Sequence, residues 1–141
     1  MRASVATDLS LLKAFPMSDK TIADKMYLKT AKTLAVFNGA VHPGLVAQLP
    51  QEMIQQGEEP ADVVLVLALN QKELDQWFDA ALARLGEKGS LWIAYLKHSA
   101  PKATDIDRDS IYGYGKERGV TGVALISVDA DWSAVRLKKL S

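Results

Sequence analysis

Residues 62–69 read Asp-Val-Val-Leu-Val-Leu-Ala-Leu, and how these eight are read decides the fold. Seven of them are apolar and none alternates with a polar neighbour. A strand with one wet face alternates, whereas a strand covered on both faces does not. The stretch therefore predicts the central strand of a sheet with helices on both sides. Asn70 follows as an N-cap, and Glu73 stands where a capping box places its acid. Leu74, Trp77, Phe78, Ala81, Leu82 and Leu85 then recur at spacings of three and four, the buried stripe of a helix. Gly86 and Gly89 stop that helix, and residues 90–97 (SLWIAYLK) form the next strand.

Working outward, residues 33–38 (TLAVFN) are a first parallel strand ending at Asn38-Gly39. Pro43 suits the first turn of a short helix carrying Leu45, Val46 and Leu49, and Pro50 ends it. Residues 51–57 are read as a short edge strand, with a helical turn as the other option, and Glu58-Glu59-Pro60 as a loop. Upstream, Ser18 is the expected cap of a helix over residues 19–28 that buries Ile22, Ala23 and Met26. Residues 1–17, with Leu9, Leu11, Leu12 and Phe15, form an apolar arm apart from the domain at 18–141. Downstream, Thr104 and Asp107 mark a helix start, the helix running to about Arg118 with Gly119 as its stop. Gly113 and Gly115 inside it should each cost up to about 1 kcal/mol relative to alanine. Two strands joined by Asp129-Ala130-Asp131 close the chain. The expected fold class is α/β: an open, mostly parallel Rossmann-like sheet, helices on both faces, and an antiparallel C-terminal hairpin at one edge.

The chain has 141 residues, enough for one ordinary domain, and its hydrophobic fraction of 48% supports a full core. Seventeen basic residues balance seventeen acidic ones, so the basic excess of a nucleic-acid binder is missing. The absence of cysteine excludes disulfides, thiol nucleophiles and cysteine-ligated metals. His42 and His98, far apart in sequence, give no metal-ligand spacing, so no metal site is expected. No apolar run approaches membrane-span length and the start shows no secretory signal, which predicts a cytoplasmic protein that engages neither membrane nor nucleic acid.

A resemblance now becomes visible. Residues 62–97, a strand opening on Asp62, a helix, then Gly89-Ser90-Leu91-Trp92-Ile93-Ala94, resemble the second half of class I methyltransferases, as does the closing hairpin. More closely, residues 20–139 resemble an uncharacterised bacterial family of small Rossmann-like domains. The matching segments are residues 22–25 (IADK), 32–40 (KTLAVFNGA), 92–97 (WIAYLK), 103–106 (ATDI) and 128–136 (VDADWSAVR). The resemblance implies a shortened methyltransferase-like fold. It departs from that fold at the first turn, Gly39-Ala40-Val41-His42-Pro43-Gly44, which is not glycine-rich, and in lacking room for two strand–helix units before Asp62.

Ligands of open α/β sheets sit beyond the carboxyl ends of the strands, where the strand order reverses. That rule gathers Asn38, Gly39 and His42, then Asn70, then Lys97, His98, Thr104 and Asp105, as ligand-binding candidates, with helix N-termini near Pro43 and Asn70 to favour an anion. A plain turn at Asn38-Gly39 and a plain cap at Asn70 are the favoured reading of those residues. His98 as a base oriented by Asp105 is a conceivable catalytic pair, but capping at Thr104 and solvated loop lysines account for the cluster, so no catalytic residue is expected. Glu58 or Glu59 stands where dinucleotide folds carry a ribose-binding carboxylate, although a solvated loop accounts for both. Asp129 and Asp131 are read as turn residues rather than metal ligands, and Trp132 as the tryptophan left partly exposed.

With no cofactor motif and zero net charge, the favoured expectation is a non-catalytic Rossmann-like domain working through a homodimer or a partner protein. The alternative is a reduced methyltransferase-like binder of a small molecule or nucleotide, cofactor unspecified, with its cleft at the carboxyl ends of the strands.

Overall fold

The computed structural model describes residues 21–100 and 105–140. Their strands are β1 (Leu34–Phe37), β2 (Ala61–Leu67), β3 (Leu85–Leu96), β4 (Val120–Ser127) and β5 (Trp132–Lys139). Their α-helices are α1 (Ile22–Lys25), α2 (Pro43–Val46), α3 (Gln71–Arg84) and α4 (Arg108–Lys116). The five strands form one sheet in the order β1-β2-β3-β5-β4. β1 with β2 and β2 with β3 pair in parallel, and β5 runs antiparallel to both β3 and β4. The expected open sheet is present, with the reversed strand β5 inserted inside the edge strand β4.

Both faces of the sheet are covered, which is why residues 62–69 do not alternate. On one face Val64, Val66, Leu91, Ile93, Val135 and Leu137 pack against Leu74 and Phe78 of α3 and Ile111 of α4. On the other, Val63, Leu65, Leu67, Trp92, Ala94 and Ala134 meet Ile22 of α1, Met26, and Leu45 and Leu49 at α2. Each fully buried aliphatic or aromatic side chain contributes roughly 1.5–3 kcal/mol of transfer free energy.

This division of helices locates the reversal in strand order. From β1 the chain crosses the α2 face to the outer side of β1, where Ile54 makes a parallel bridge to Leu34. From β2 it crosses the α3 face to β3. The chain leaves β1 and β2 in opposite directions, so the topological switch point lies between their carboxyl ends. Residues 51–57 thus satisfy both readings in part, with a 3-10 turn at Gln51–Met53 followed by the single bridge at Ile54.

Several local expectations change. Ser18 and the 1–17 arm lie outside the described residues, and the helix expected over 19–28 is only α1, capped by Thr21 in a capping box with Asp24. Thr104 also lies outside them, and α4 is capped by Asp107 with Ser110. α4 ends at Lys116, short of Arg118. Close packing explains Gly115, where a Cβ would stand 2.8 Å from Val120 Cγ2. A Cβ at Gly113 would meet nothing, and the structure gives that glycine no rationale. Gly89, expected as a helix stop, lies within β3, with its Cβ direction 2.7 Å from the Asp62 carbonyl oxygen. Trp132 is buried, only 7% exposed, with its ring 5.2 Å from that of His42.

Candidate functional site at the carboxyl edge

The carboxyl edge divides into a closed part over β1 and β2 and an open part over β3 and β5. In the closed part Asn38 takes up the left-handed conformation (φ 62°, ψ 32°), which costs a non-glycine residue on the order of 1 kcal/mol. Its side chain spans the switch point in return. The Asn38 amide donates to the Leu67 carbonyl at 2.8 Å and to Glu73 Oε1 at 2.9 Å. The same Glu73 oxygen accepts from the Leu69 N–H at 2.9 Å, and Asn70 Oδ1 accepts from the Glu73 N–H. Asn70 is the helix cap that the sequence predicts. Glu73, however, does not return to the cap residue as a capping box would; it braces the end of β2 and the β1 turn. Gly39 has a negative φ, and a Cβ there would lie 3.0 Å from Val46 and 3.3 Å from Val36, so its free side faces protein.

His42 reaches from the β1 loop to the turn between β4 and β5. Its Nδ1 accepts from the Leu45 N–H, which puts the ring proton on Nε2, 2.9 Å from Asp129 Oδ2. With both ring nitrogens engaged, His42 is a brace rather than a free base. Asp129 Oδ1 accepts from the N–H groups of Asp131 and Trp132, which makes it a turn residue as expected. Desolvation acts to raise the Asp129 pKa, but the His42 bond and the two backbone N–H groups outweigh it and hold the carboxyl below its usual range. Lys97 Nζ donates to Ser127 Oγ at 2.8 Å and to the Asp129 carbonyl at 2.6 Å, tying the end of β3 into the same turn.

The open part is a cleft of about 300 Å³ bounded by β3, β5, β4 and the start of α4. Tyr95, Lys97, His98, Asp107, Arg108 and Ser133 line it. Tyr95 is 5% exposed, and desolvation raises its hydroxyl pKa, so it is a neutral donor at physiological pH. His98 Nε2 lies 3.3 Å from Asp107 Oδ2, and the backbone N–H of Ser110 is the main reason that the Asp107 carboxyl is held low. Asp105, expected to orient His98, instead accepts from the Gln71 N–H at the start of α3. The cleft gathers hydroxyl, ammonium, imidazole and guanidinium donors beside two carboxylates, an arrangement able to bind and orient a small polar molecule.

Of the sequence candidates, the structure brings Asn38, Gly39 and Asn70 together at the closed part and Lys97 and His98 together at the cleft. His42 and Asp105 serve as braces. Sequence reading missed Tyr95, Asp107, Arg108 and Ser133 as cleft residues. Asp107 and Arg108 carried a signal in the helix start, whereas Tyr95 and Ser133 meet only through the β3–β5 pairing. Glu58 and Glu59 are at the wrong end of the sheet. The Glu59 carbonyl accepts from Arg84, the last residue of α3, beside the amino-terminal end of β2, so the ribose-carboxylate reading fails.

The chain matches no protein-family model and no curated protein sequence. Among solved structures it is similar to an rRNA methylase from Streptococcus thermophilus, at 13% identity and a TM-score of 0.54, over 89% of this chain and 100% of that one. It is also similar to the N-methyltransferase NodS from Bradyrhizobium japonicum WM9 in complex with S-adenosyl-L-homocysteine, at 12% identity and a TM-score of 0.51, over 87% and 90% of the two chains. A third likeness is to LepI in complex with S-adenosylmethionine, at 12% identity and a TM-score of 0.54, over 92% of this chain and half of LepI.

The fold is methyltransferase-like. This corrects the favoured expectation of a non-catalytic domain acting through self-association or a partner. These three structures carry a methylase or methyltransferase name or hold an S-adenosyl compound, and the small-molecule alternative agrees with them better. The methyltransferase-like fold does not bring a complete nucleoside cradle to the β1 turn. Asn38 fills the switch point, Gly39 faces Val46, and Glu58 and Glu59 lie at the opposite edge.

Proposed function

We propose that this chain is a reduced methyltransferase-like binder of a small anionic or nucleotide-class molecule, held at the carboxyl edge of the sheet in the cleft between β3, β5 and α4. The observation that carries the reading is the convergence of Tyr95, Lys97, His98 and Arg108 on one cleft beside the strand ends. Lys97 contributes an ammonium, Arg108 the terminal nitrogens of a guanidinium whose Nε pairs with Asp109 at 3.1 Å, and the Tyr95 hydroxyl a donor from the cleft wall. Asn38, Glu73, His42 and Asp129 hold the surrounding loops in place.

A thermal-shift screen with S-adenosylmethionine, S-adenosyl-L-homocysteine, AMP and ATP tests this. A ligand held at about a hundred times its Kd should add roughly 2.7 kcal/mol, read as a rise of several degrees in Tm. Arg108→Ala and Lys97→Ala should each weaken such a ligand about tenfold or more. A flat screen at millimolar concentrations, or a ligand indifferent to both substitutions, overturns the reading.

A further inference from the structure

The opposite edge of the sheet carries a second cleft, independent of the first. It measures about 420 Å³ and lies where the chain enters β1, β2 and β3. Tyr27, Lys32, Asp62, Lys88, Ser90 and Arg136 line it. Three cations face two carboxylates there, the second being Glu87, so the cleft is net positive in a chain whose total charge is zero.

Arg136 is the feature that needs an explanation. It sits in β5 directly across from the buried Trp92, on the face covered by α1 and α2. Its Nε donates to the buried Ser90 hydroxyl at 2.8 Å, which fixes the plane of the guanidinium. Among the described residues it forms no ion pair and no other hydrogen bond, so the two terminal nitrogens have no partner. A half-buried guanidinium with an anchored Nε and free terminal nitrogens is a preformed fork for two oxygens of one anion. The ring of Tyr27 lies beside it, its centre 5.5 Å from the guanidinium carbon and its surface 58% exposed. Tyr27 is held at φ 59°, a left-handed conformation that an aromatic residue adopts at a cost and that concentrates at binding sites. Gly89 closes the floor, since a Cβ there would run into the Asp62 carbonyl oxygen.

We infer that this amino-edge cleft is a second binding site, for a small aromatic anion whose phosphate or carboxylate oxygens are forked by Arg136 while its ring lies against Tyr27. Lys32 and Lys88 at the rim add long-range attraction, and Asp62 and Glu87 limit the charge that is accepted. The site needs no part of the carboxyl-edge cleft.

Calorimetric titration of the full chain with phenyl phosphate, benzoate, inorganic phosphate and phenol tests the inference. Phenyl phosphate or benzoate should bind, the better of the two naming the anion class. Inorganic phosphate should bind more weakly, and phenol should give no measurable heat. Arg136→Gln should weaken the aromatic anion at least tenfold and Arg136→Lys less, because a lysine keeps the charge but not the fork. Tyr27→Ala, at an exposed position, should weaken phenyl phosphate several-fold and leave inorganic phosphate unchanged. The loss caused by Arg136→Gln should be the same in a Lys97→Ala/Arg108→Ala background, which separates this site from the one proposed above. Absence of binding at millimolar concentrations, or an affinity unchanged in a folded Arg136→Gln variant, overturns the inference.

Discussion

The two halves of the carboxyl edge use similar residue types for opposite ends. Over β1 and β2, an amide and a carboxylate meet each other and the backbone, and the switch point is closed. Over β3 and β5, a lysine, an imidazole and a guanidinium border a cleft of about 300 Å³. The difference follows from where the neighbouring strands are. Among the described residues only Ile54 pairs on the outer side of β1, so these residues build no wall there against which a ligand could rest. Beside β3, the inserted strand β5 and the start of α4 supply two walls. The walls that bound the open cleft thus stand on the side of the sheet where the neighbouring strands are long.

Breaking the closed half should have the largest effect on stability. Glu73→Ala removes one of the two acceptors of the Asn38 amide and the carboxylate that accepts from the Leu69 N–H at a part-buried site, and should cost about 2–3 kcal/mol in chemical denaturation. Ligand affinity at the β3–β5 cleft should change less than threefold. A large loss of affinity with little loss of stability would move the binding site to the switch point.

The brace between the halves should matter less. Asp129→Ala removes the His42 partner and two turn hydrogen bonds, and should cost about 1–2 kcal/mol. Because Asp129 is held below 3.8, its contribution is present above that pH and disappears as pH falls through the lower folded value. Asp129→Asn should therefore flatten the acid limb of the stability–pH curve. An unchanged limb would show that the brace is not formed in solution.

On the α3–α4 face, Tyr114 sharpens the contrast from another direction. Desolvation and the Asp75 bond raise its hydroxyl to about 12, and Phe78 meets its ring edge-on at 5.0 Å. Its folded value is raised, so its contribution is intact below the ordinary 10.0 and is lost as pH rises through about 12. Ultraviolet titration of Tyr114→Phe should lose the latest tyrosine transition while the cleft ligand still binds.

Substitutions in the open half should disturb stability least. Lys97→Ala and Arg108→Ala should each shift it by about 0.5 kcal/mol or less, since partly or fully exposed polar contacts contribute little.

How much of this was legible in the sequence depended on the distance over which information had to travel. The apolar run at 62–69, the α3 stripe and the Asn70 cap were readable because strand burial, helix periodicity and capping are written within a few residues. The terminal hairpin was readable for the same reason. The Asn38–Glu73 bridge joins residues 35 apart and the His42–Asp129 bond residues 87 apart. Neither leaves a local mark, and Glu73 in particular looked like half of a capping box. The candidate cleft was half legible: Lys97 and His98 stand at a predicted strand end, but Tyr95 and Ser133 become neighbours only once β5 is inserted next to β3. The Glu58–Glu59 reading failed because spacing along the chain matched a pattern whose intervening strand is a single bridge here.

The most direct test of the central claim is a proton–nitrogen NMR titration of the full chain with whichever of S-adenosyl-L-homocysteine, S-adenosylmethionine, AMP or ATP gives the largest thermal shift. The largest amide shifts should fall on Tyr95, Lys97, Asp107, Arg108 and Ser133, with Asn38 and Gly39 nearly still. Shifts centred on Asn38, Gly39 and Asn70, or none at any concentration reached, would contradict that claim.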